Sequence, residues 1–259
     1  MMLRILRKIN LVLLVLVALQ GVALWRAQSA SAVSTFLYEP FYGNWRESTK
    51  KYDAYPVNIN ASFDHNLPQG NANQTFSFRD GSTPKPAADC NNSNVPADWE
   101  KLCYNGHSGI DYNLQYAPVV AAYSGVVQYA GWNSPTHDNV DLGLMIRINH
   151  KVGSSTANYR TIYGHLSTLI GYTGQIIDPY DPAKKSHFQI ATSGNTGNSF
   201  GPHLHFEVRT WFNNAWRLVD PYAWTGSSTD PWVNAGGPTS VNLWVANRRQ
   251  YPHPVMGQW

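Results

Sequence analysis

The chain has 259 residues, of which 43% are hydrophobic and 14% charged, with a formal net charge of +3. That length and apolar content allow a sizeable core in one large or two modest domains. The weak charge excludes the basic footprint of a nucleic-acid binder and any acidic tail, though a mildly basic protein can still approach an anionic polymer.

Arg4, Arg7 and Lys8 precede an unbroken apolar run from Leu11 to Leu19, which continues past Gln20 to Trp25. The run is short for a spanning helix of about 20 residues, and Ala30-Ser31-Ala32 offers a small-x-small cleavage site. Residues 1–32 therefore read as a signal peptide, and the mature chain as extracytoplasmic: secreted, periplasmic or wall-associated. Membrane association is expected only if that segment stays uncleaved.

Residues 33–98 read as an N-terminal extension. From Ser34 to Trp45 the chain is rich in Phe, Tyr and Trp, which points to ordered surface or edge structure. Asn71 to Pro96 is dense in Asn, Ser, Pro, Gly and Asp, the composition of a long loop. Cys90 and Cys103 are the two cysteines, and in an exported chain they are expected to pair. Such a bridge closes a loop of about 15 residues and contributes roughly 3 kcal/mol in the chain-entropy view. With no Cys-x-x-Cys present, a thiolate zinc site is disfavoured.

After Cys103, short β-branched and aromatic runs alternate with glycine: Val119 to Tyr123, Gly125 to Ala130, Leu144 to His150, Arg160 to Leu166, Phe188 to Ala191 and His203 to Trp211. This spacing predicts an antiparallel all-β domain over residues 99–225. Phe212-Asn213-Asn214-Ala215 predicts a hairpin turn, after which Trp216 to Val219 returns along the preceding strand. Residues 226–259 form a polar, Trp-bearing C-terminal extension, and Trp224 just before it reads, with Trp232, Trp244 and Trp259, as packing at the core edge. No segment predicts a long amphipathic helix.

Three motifs carry chemistry. In Gly201-Pro202-His203-Leu204-His205-Phe206-Glu207, the period of two places His203, His205 and Glu207 on one strand face. Two imidazoles so placed suit a metal and its catalytic neighbour, or simply a hydrogen-bonded histidine pair. His107-Ser108-Gly109-Ile110-Asp111 offers an imidazole and a carboxylate four residues apart, a potential nitrogen and oxygen ligand pair or two unrelated surface groups. Tyr163-Gly164-His165-Leu166-Ser167 contributes one histidine at a strand end. His65, His137, His150, His187 and His253 lack a partner motif and are assigned to surface or loops.

Taken in chain order, with His107-x-x-x-Asp111 first, then Tyr163-Gly164-His165-Leu166-Ser167, then Gly194-Asn195-Thr196-Gly197 ahead of the His-x-His strand, the motifs resemble those of the lysostaphin-type zinc metallopeptidases of family M23, which cut peptides in peptidoglycan. The resemblance covers about Phe63 to Tyr222. It implies the family's antiparallel peptidase core, Zn2+ held by His107, Asp111 and His205, and two unligated catalytic histidines, His165 and His203. It also implies an exported endopeptidase acting on peptidoglycan peptide, expected here as a monomer. A noncatalytic wall-binding regulator of the same fold is the competing expectation. A zinc carboxypeptidase of the Glu-x-x-His kind is disfavoured because that element is missing. Gly171 to Ser186 departs from the family pattern and is expected to form a loop beside the groove.

Overall fold

The strand that carries the His-x-His motif alternates cleanly, and the rest of the sheet is assembled on its two edges. With strands numbered in chain order, it is β12 (Leu204–Phe212). Leu204, Phe206 and Val208 are buried in the main apolar cluster, while His205, Glu207, Arg209 and Trp211 share the opposite face. The computed structural model describes residues 35–42, 45–46, 51–52, 57, 59–69, 75–83, 105–137, 141–178 and 189–245. The predicted signal peptide, Cys90 and Cys103 with their predicted bridge, His187, His253 and Trp259 lie outside those residues.

The main sheet runs in the order β10 (Ile176–Ile177), β6 (Gly125–Trp132), β7 (Leu144–His150), β8 (Tyr159–Gly164), β12, β4 (Ile110–Tyr112) and β3 (Ile59–Ala61). An eighth strand, β13 (Ala215–Leu218), also pairs with β12. A second sheet orders β5 (Pro118–Val120), β11 (Gln189–Ser193) and β9 (Leu166–Leu169), and β1 (Trp45–Arg46) pairs with β2 (Lys51–Tyr52). Every strand pairing within these sheets is antiparallel. The all-β expectation therefore holds. The described helix is a single turn, α1 (Pro231–Asn234), capped by the Asp230 carboxylate, which accepts from Trp232 N–H at 2.9 Å.

The hairpin forms where expected. Phe212 faces Ala215, and Asn213 and Asn214 both take positive φ, 49° and 59°, which is the twist that a two-residue hairpin needs. Two predicted strands change at their ends. The first stops at Val120, because the amide of Ala122 turns away from the ladder to donate to the Tyr163 hydroxyl at 2.8 Å. His203 lies just before β12, where it bridges Gly194 rather than extending a ladder. Ile176 and Ile177, expected within a loop, pair with Val126 and Gly125 and extend the sheet edge.

The core lies between the two sheets, with Ile146, Ile148, Tyr163 and Phe206 facing Val119, Leu166, Ile190 and Ala191. Both flanks of the peptidase-like segment enter it. Phe36, Leu37 and Phe41 are buried with Leu243 and Trp244, and the amides of Phe36 and Leu37 donate to Leu243 C=O. Phe36, Leu37, Phe41 and Tyr42 are thus interior rather than surface, because each buried large apolar side chain contributes about 1.5–3 kcal/mol that an edge position would forgo. Trp232 and Trp244 are buried, in keeping with the packing expectation. Among the described residues, no helix is long and apolar enough to cross a membrane.

Candidate metal centre

Antiparallel pairing of β12 with β4 sets His205 directly opposite Asp111, so the two side chains leave the same face side by side. His107 enters from the turn before β4. The intervening glycine is dictated by this approach: a Cβ on Gly109 would lie 2.6 Å from Phe206 C=O and 2.9 Å from His205 Nε2. Asp111 Oδ1 lies 2.8 Å from His205 Nδ1 and 3.2 Å from His107 Nε2, and those two nitrogens are 3.2 Å apart. All three residues are buried.

The far side of each ring fixes its tautomer. His107 Nδ1–H donates to Ser62 C=O at 2.7 Å, which leaves a lone pair on Nε2. His205 Nε2–H points at Glu207 Oε1, 3.4 Å away, which leaves the lone pair on Nδ1. Glu207 is itself held by Ser108 Oγ at 2.5 Å and by two nitrogens of Arg209 at 2.7 and 2.9 Å. Two imidazole lone pairs and a carboxylate oxygen therefore face one point. Tetrahedral ligands at zinc distances of about 2.0–2.1 Å sit about 3.3 Å from one another, so the observed triangle fits such an ion. A backbone carbonyl and a carboxylate behind the two rings are the partners that metal-bound histidines require.

Electrostatics agree with the geometry. Burial alone would raise the Asp111 carboxyl, but His107 and His205 outweigh it and hold the group well below the usual carboxylate range. Burial likewise opposes a charge on His205, yet the hydrogen bonds to Asp111 and Glu207 raise it to about 10. A cluster with this appetite for positive charge favours a cation, and a metal would displace the proton from Nδ1.

Two more imidazoles stand beside the triangle. His165 separates β8 from β9 with φ at +56°, a strained conformation for a residue that is not glycine. Its amide donates to Leu142 C=O at 2.8 Å and its Nδ1–H to Thr196 C=O at 2.7 Å. Thr196 Oγ1 also ties Leu144 N–H to Leu166 C=O. The loops carrying Leu142 and Thr196 touch backbone to backbone, since a Cβ on Gly143 would meet Gly197 N at 2.4 Å. Burial first, then the neighbouring His205 and His203, push the His165 imidazole down to about 3. His203 Nδ1–H donates to Gly201 C=O at 2.8 Å, with Ser199 Oγ at 3.2 Å. Its Nε2 is buried without a hydrogen-bond partner and lies 3.6 Å from Asp111 Oδ1. The His165 and His203 rings pack with centroids 4.6 Å apart.

All five predicted site residues thus converge. Other assignments change in part: His65 does lie in a loop, after β3, and His150 ends β7, but both are fully buried. His65 lies between Asp220 and Asp230, and His150 between Ser124 C=O and Thr161 Oγ1. Tyr163 is packing, its hydroxyl engaged by Ala122 N–H and Thr161. Sequence reasoning missed Ser62, Ser108 and Asp64. The Asp64 carboxylate accepts from the amides of Asn66, Ser77 and Gly106, the last adjacent to His107. Glu207 was signalled by its strand parity with His205; Ser62 acts through its main chain, which leaves no side-chain signature.

A three-donor cradle with two imidazoles waiting at its rim is an arrangement of metallohydrolases. Residues 105–221 match the model of Peptidase family M23, and the chain belongs to that family. It is similar to an uncharacterized metalloprotease of Haemophilus influenzae, with 33% identity over 146 residues, 56% of this chain and 24% of that protein. It is also similar to the DD-carboxypeptidase/endopeptidase Mpg of Neisseria meningitidis serogroup B, with 33% identity over 104 residues, 40% of this chain and 20% of that protein. The catalytic domain of the antimicrobial peptidase lysostaphin from Staphylococcus simulans is 30% identical, over 45% of this chain and 78% of that domain, with a TM-score of 0.35. The chain spans about a quarter or less of the length of these curated relatives.

Proposed function

We propose that the chain is an exported zinc metalloendopeptidase that hydrolyses peptide bonds in bacterial peptidoglycan. The observation that carries this reading is the triangle of His107 Nε2, Asp111 Oδ1 and His205 Nδ1, with edges of 2.8–3.2 Å, beside two further oriented imidazoles. Membership of family M23 supports a peptidase. The name of the Neisseria relative adds bonds between D-amino acids, a chemistry of wall peptides. Action outside the cytoplasm rests on the signal-like residues 1–32.

His107, Asp111 and His205 would hold the ion. Zinc so bound supplies a polarised carbonyl and a water whose pKa is lowered toward 7. The chain's own residues do the remaining work. With Nδ1–H fixed on Thr196 and Gly201 carbonyls, His165 and His203 present Nε2 to the reacting group. A neutral Nε2 takes a proton from attacking water, and a protonated one donates to the oxyanion or the departing amine. Burial holds His165 in its neutral form, and the two imidazoles share the base, acid and oxyanion-stabilising roles from either side of the reacting group.

The test is incubation of purified, zinc-supplemented protein with wall sacculi, followed by mass spectrometry of the products. New amino termini within peptide crosslinks are expected. Loss of terminal D-amino acids alone would redirect the reading to a carboxypeptidase. Intact fragments with tight wall binding would contradict catalysis and favour the noncatalytic regulator.

A further inference from the structure

The face of the main sheet that bears the metal centre continues into a cationic strip unrelated to metal binding. Along β12, His205, Glu207 and Arg209 follow one another on that face. Arg209 stands opposite Arg160 of β8, and Glu207 stands opposite Ile162. On the other edge of β8, Ile162 faces Arg147 of β7. Arg147, Arg160 and Arg209 therefore occupy adjacent and diagonal positions, with directly opposed Cβ atoms about 5 Å apart. All three are partly buried.

Their partners differ in a telling way. Arg209 is neutralised by Glu207, whose Oε2 accepts from both its Nε and an Nη. Arg160 is held by a neutral acceptor, Asn149 Oδ1 at 2.8 Å, and lies 4.1 Å from the centre of the Trp216 ring. Arg147 is held by Gln128 Oε1 at 3.1 Å and lies 5.9 Å from the centre of the Tyr129 ring, while its Nε is buried without a hydrogen-bond partner. Amide oxygens and aromatic faces orient a guanidinium without cancelling its charge. Among the described residues, Glu207 is the one carboxylate paired with the strip. Burial first, and then Arg147 and Arg209, lower the Arg160 group to about 10, the cost of crowding like charges with no counter-ion.

We propose that Arg147 and Arg160 form a carboxylate-binding subsite that captures a free carboxylate of the peptide substrate. The proposal rests on the peptidase reading and deepens it by naming what the substrate must carry. Arg209 lies four residues along the strand from His205, about 13–14 Å, so the captured carboxylate lies three to four extended residues from the cleaved bond. The planar fork of arginine matches a carboxylate, and two forks oriented beforehand lose little freedom on binding. Glu207 keeps Arg209 out of this role by holding it for the metal centre.

The subsite is tested by equilibrium binding of soluble peptidoglycan fragments to the full chain in the His203→Ala background. The fragments carry either free carboxylates or carboxylates converted to carboxamides. The free form should bind about tenfold more tightly than the amidated form, the size of one charge-assisted contact. That preference should shrink as salt rises. In Arg147→Gln/Arg160→Gln the ratio of the two dissociation constants should fall toward one; because it is a ratio, a uniform loss of folded protein does not move it. Arg160→Lys, which keeps charge and loses the fork, should give an intermediate ratio. Equal affinity for the two forms in the parent, a ratio unchanged in the double substitution, or no binding of either form would overturn the subsite. Cleavage of sacculi by the unsubstituted chain is read separately, so failure of the peptidase reading and failure of the subsite remain distinguishable.

Discussion

Two buried clusters of histidine and aspartate lie among the described residues, and their stoichiometry separates them. At the metal centre, three imidazoles lie within 3.6 Å of one carboxylate oxygen. At the second cluster, one imidazole, His65, lies between two carboxylates, Asp220 at 3.0 Å and Asp230 at 3.1 Å. Burial opposes charge on His65, but the hydrogen bonds to Asp220 and Asp230 raise it to about 9. In its protonated form His65 carries an N–H on each ring nitrogen and donates to both carboxylates, so the second cluster closes on itself as a clasp that joins the N-terminal extension to Asp220 and to Asp230 of the C-terminal extension. The first has more lone pairs converging than protons can bridge. At the first cluster the imidazoles outnumber the carboxylate and leave lone pairs for a cation, whereas at the second one protonated ring is matched by two carboxylates as an ion pair.

The comparison breaks most completely at the cradle. Asp111→Ala and His205→Ala should abolish metal retention and bring wall hydrolysis to background, whereas His203→Ala should keep the metal and lose about 10²–10⁴-fold in turnover. Metal content by emission spectroscopy alongside turnover checks both; an empty His203→Ala protein beside a loaded His205→Ala protein would reverse the assignment. At the clasp, His65→Ala leaves two carboxylates buried together and should destabilise the fold by about 3–5 kcal/mol in denaturant titrations. The small helix turn behind Asp230, with Trp232 in its apolar cluster, should loosen with it.

Glu207→Gln sharpens the contrast from the metal side. It weakens the carboxylate behind His205 without touching the triangle, so zinc affinity should drop about 10–100-fold, measured by competition with a chelator. A smaller effect separates His65 from His150. His65 favours its charged form in the folded chain, so its contribution is complete below pH 6.5 and lost as pH rises toward 9. His150 is held down to about 4 by burial, so its contribution is complete above pH 6.5 and lost as pH falls toward 4. Stability profiles of His65→Gln and His150→Gln should therefore flatten on opposite limbs, alkaline for the first and acid for the second.

The sequence made the centre legible because its donors lie on regular elements. Strand parity put His205 and Glu207 on one face, and the Asn-Asn hairpin set the return strand. The clasp was illegible for the opposite reason: His65 meets partners 155 and 165 residues away, a pairing that no local period announces. Ser62 contributes only a carbonyl, and Asp64 is recognisable only once the three amides it gathers are in place. Residues 34–45 looked like edge structure because aromatic density alone does not say which surface it will cover.

The most direct test is a crystal of the zinc-soaked protein with an anomalous difference map at the zinc edge. A single strong peak about 2.0–2.3 Å from His107 Nε2, Asp111 Oδ1 and His205 Nδ1, with none at His65, is the predicted result. A peak coordinated by His203 Nε2, or density at the His65 clasp with an empty triangle, would contradict the account.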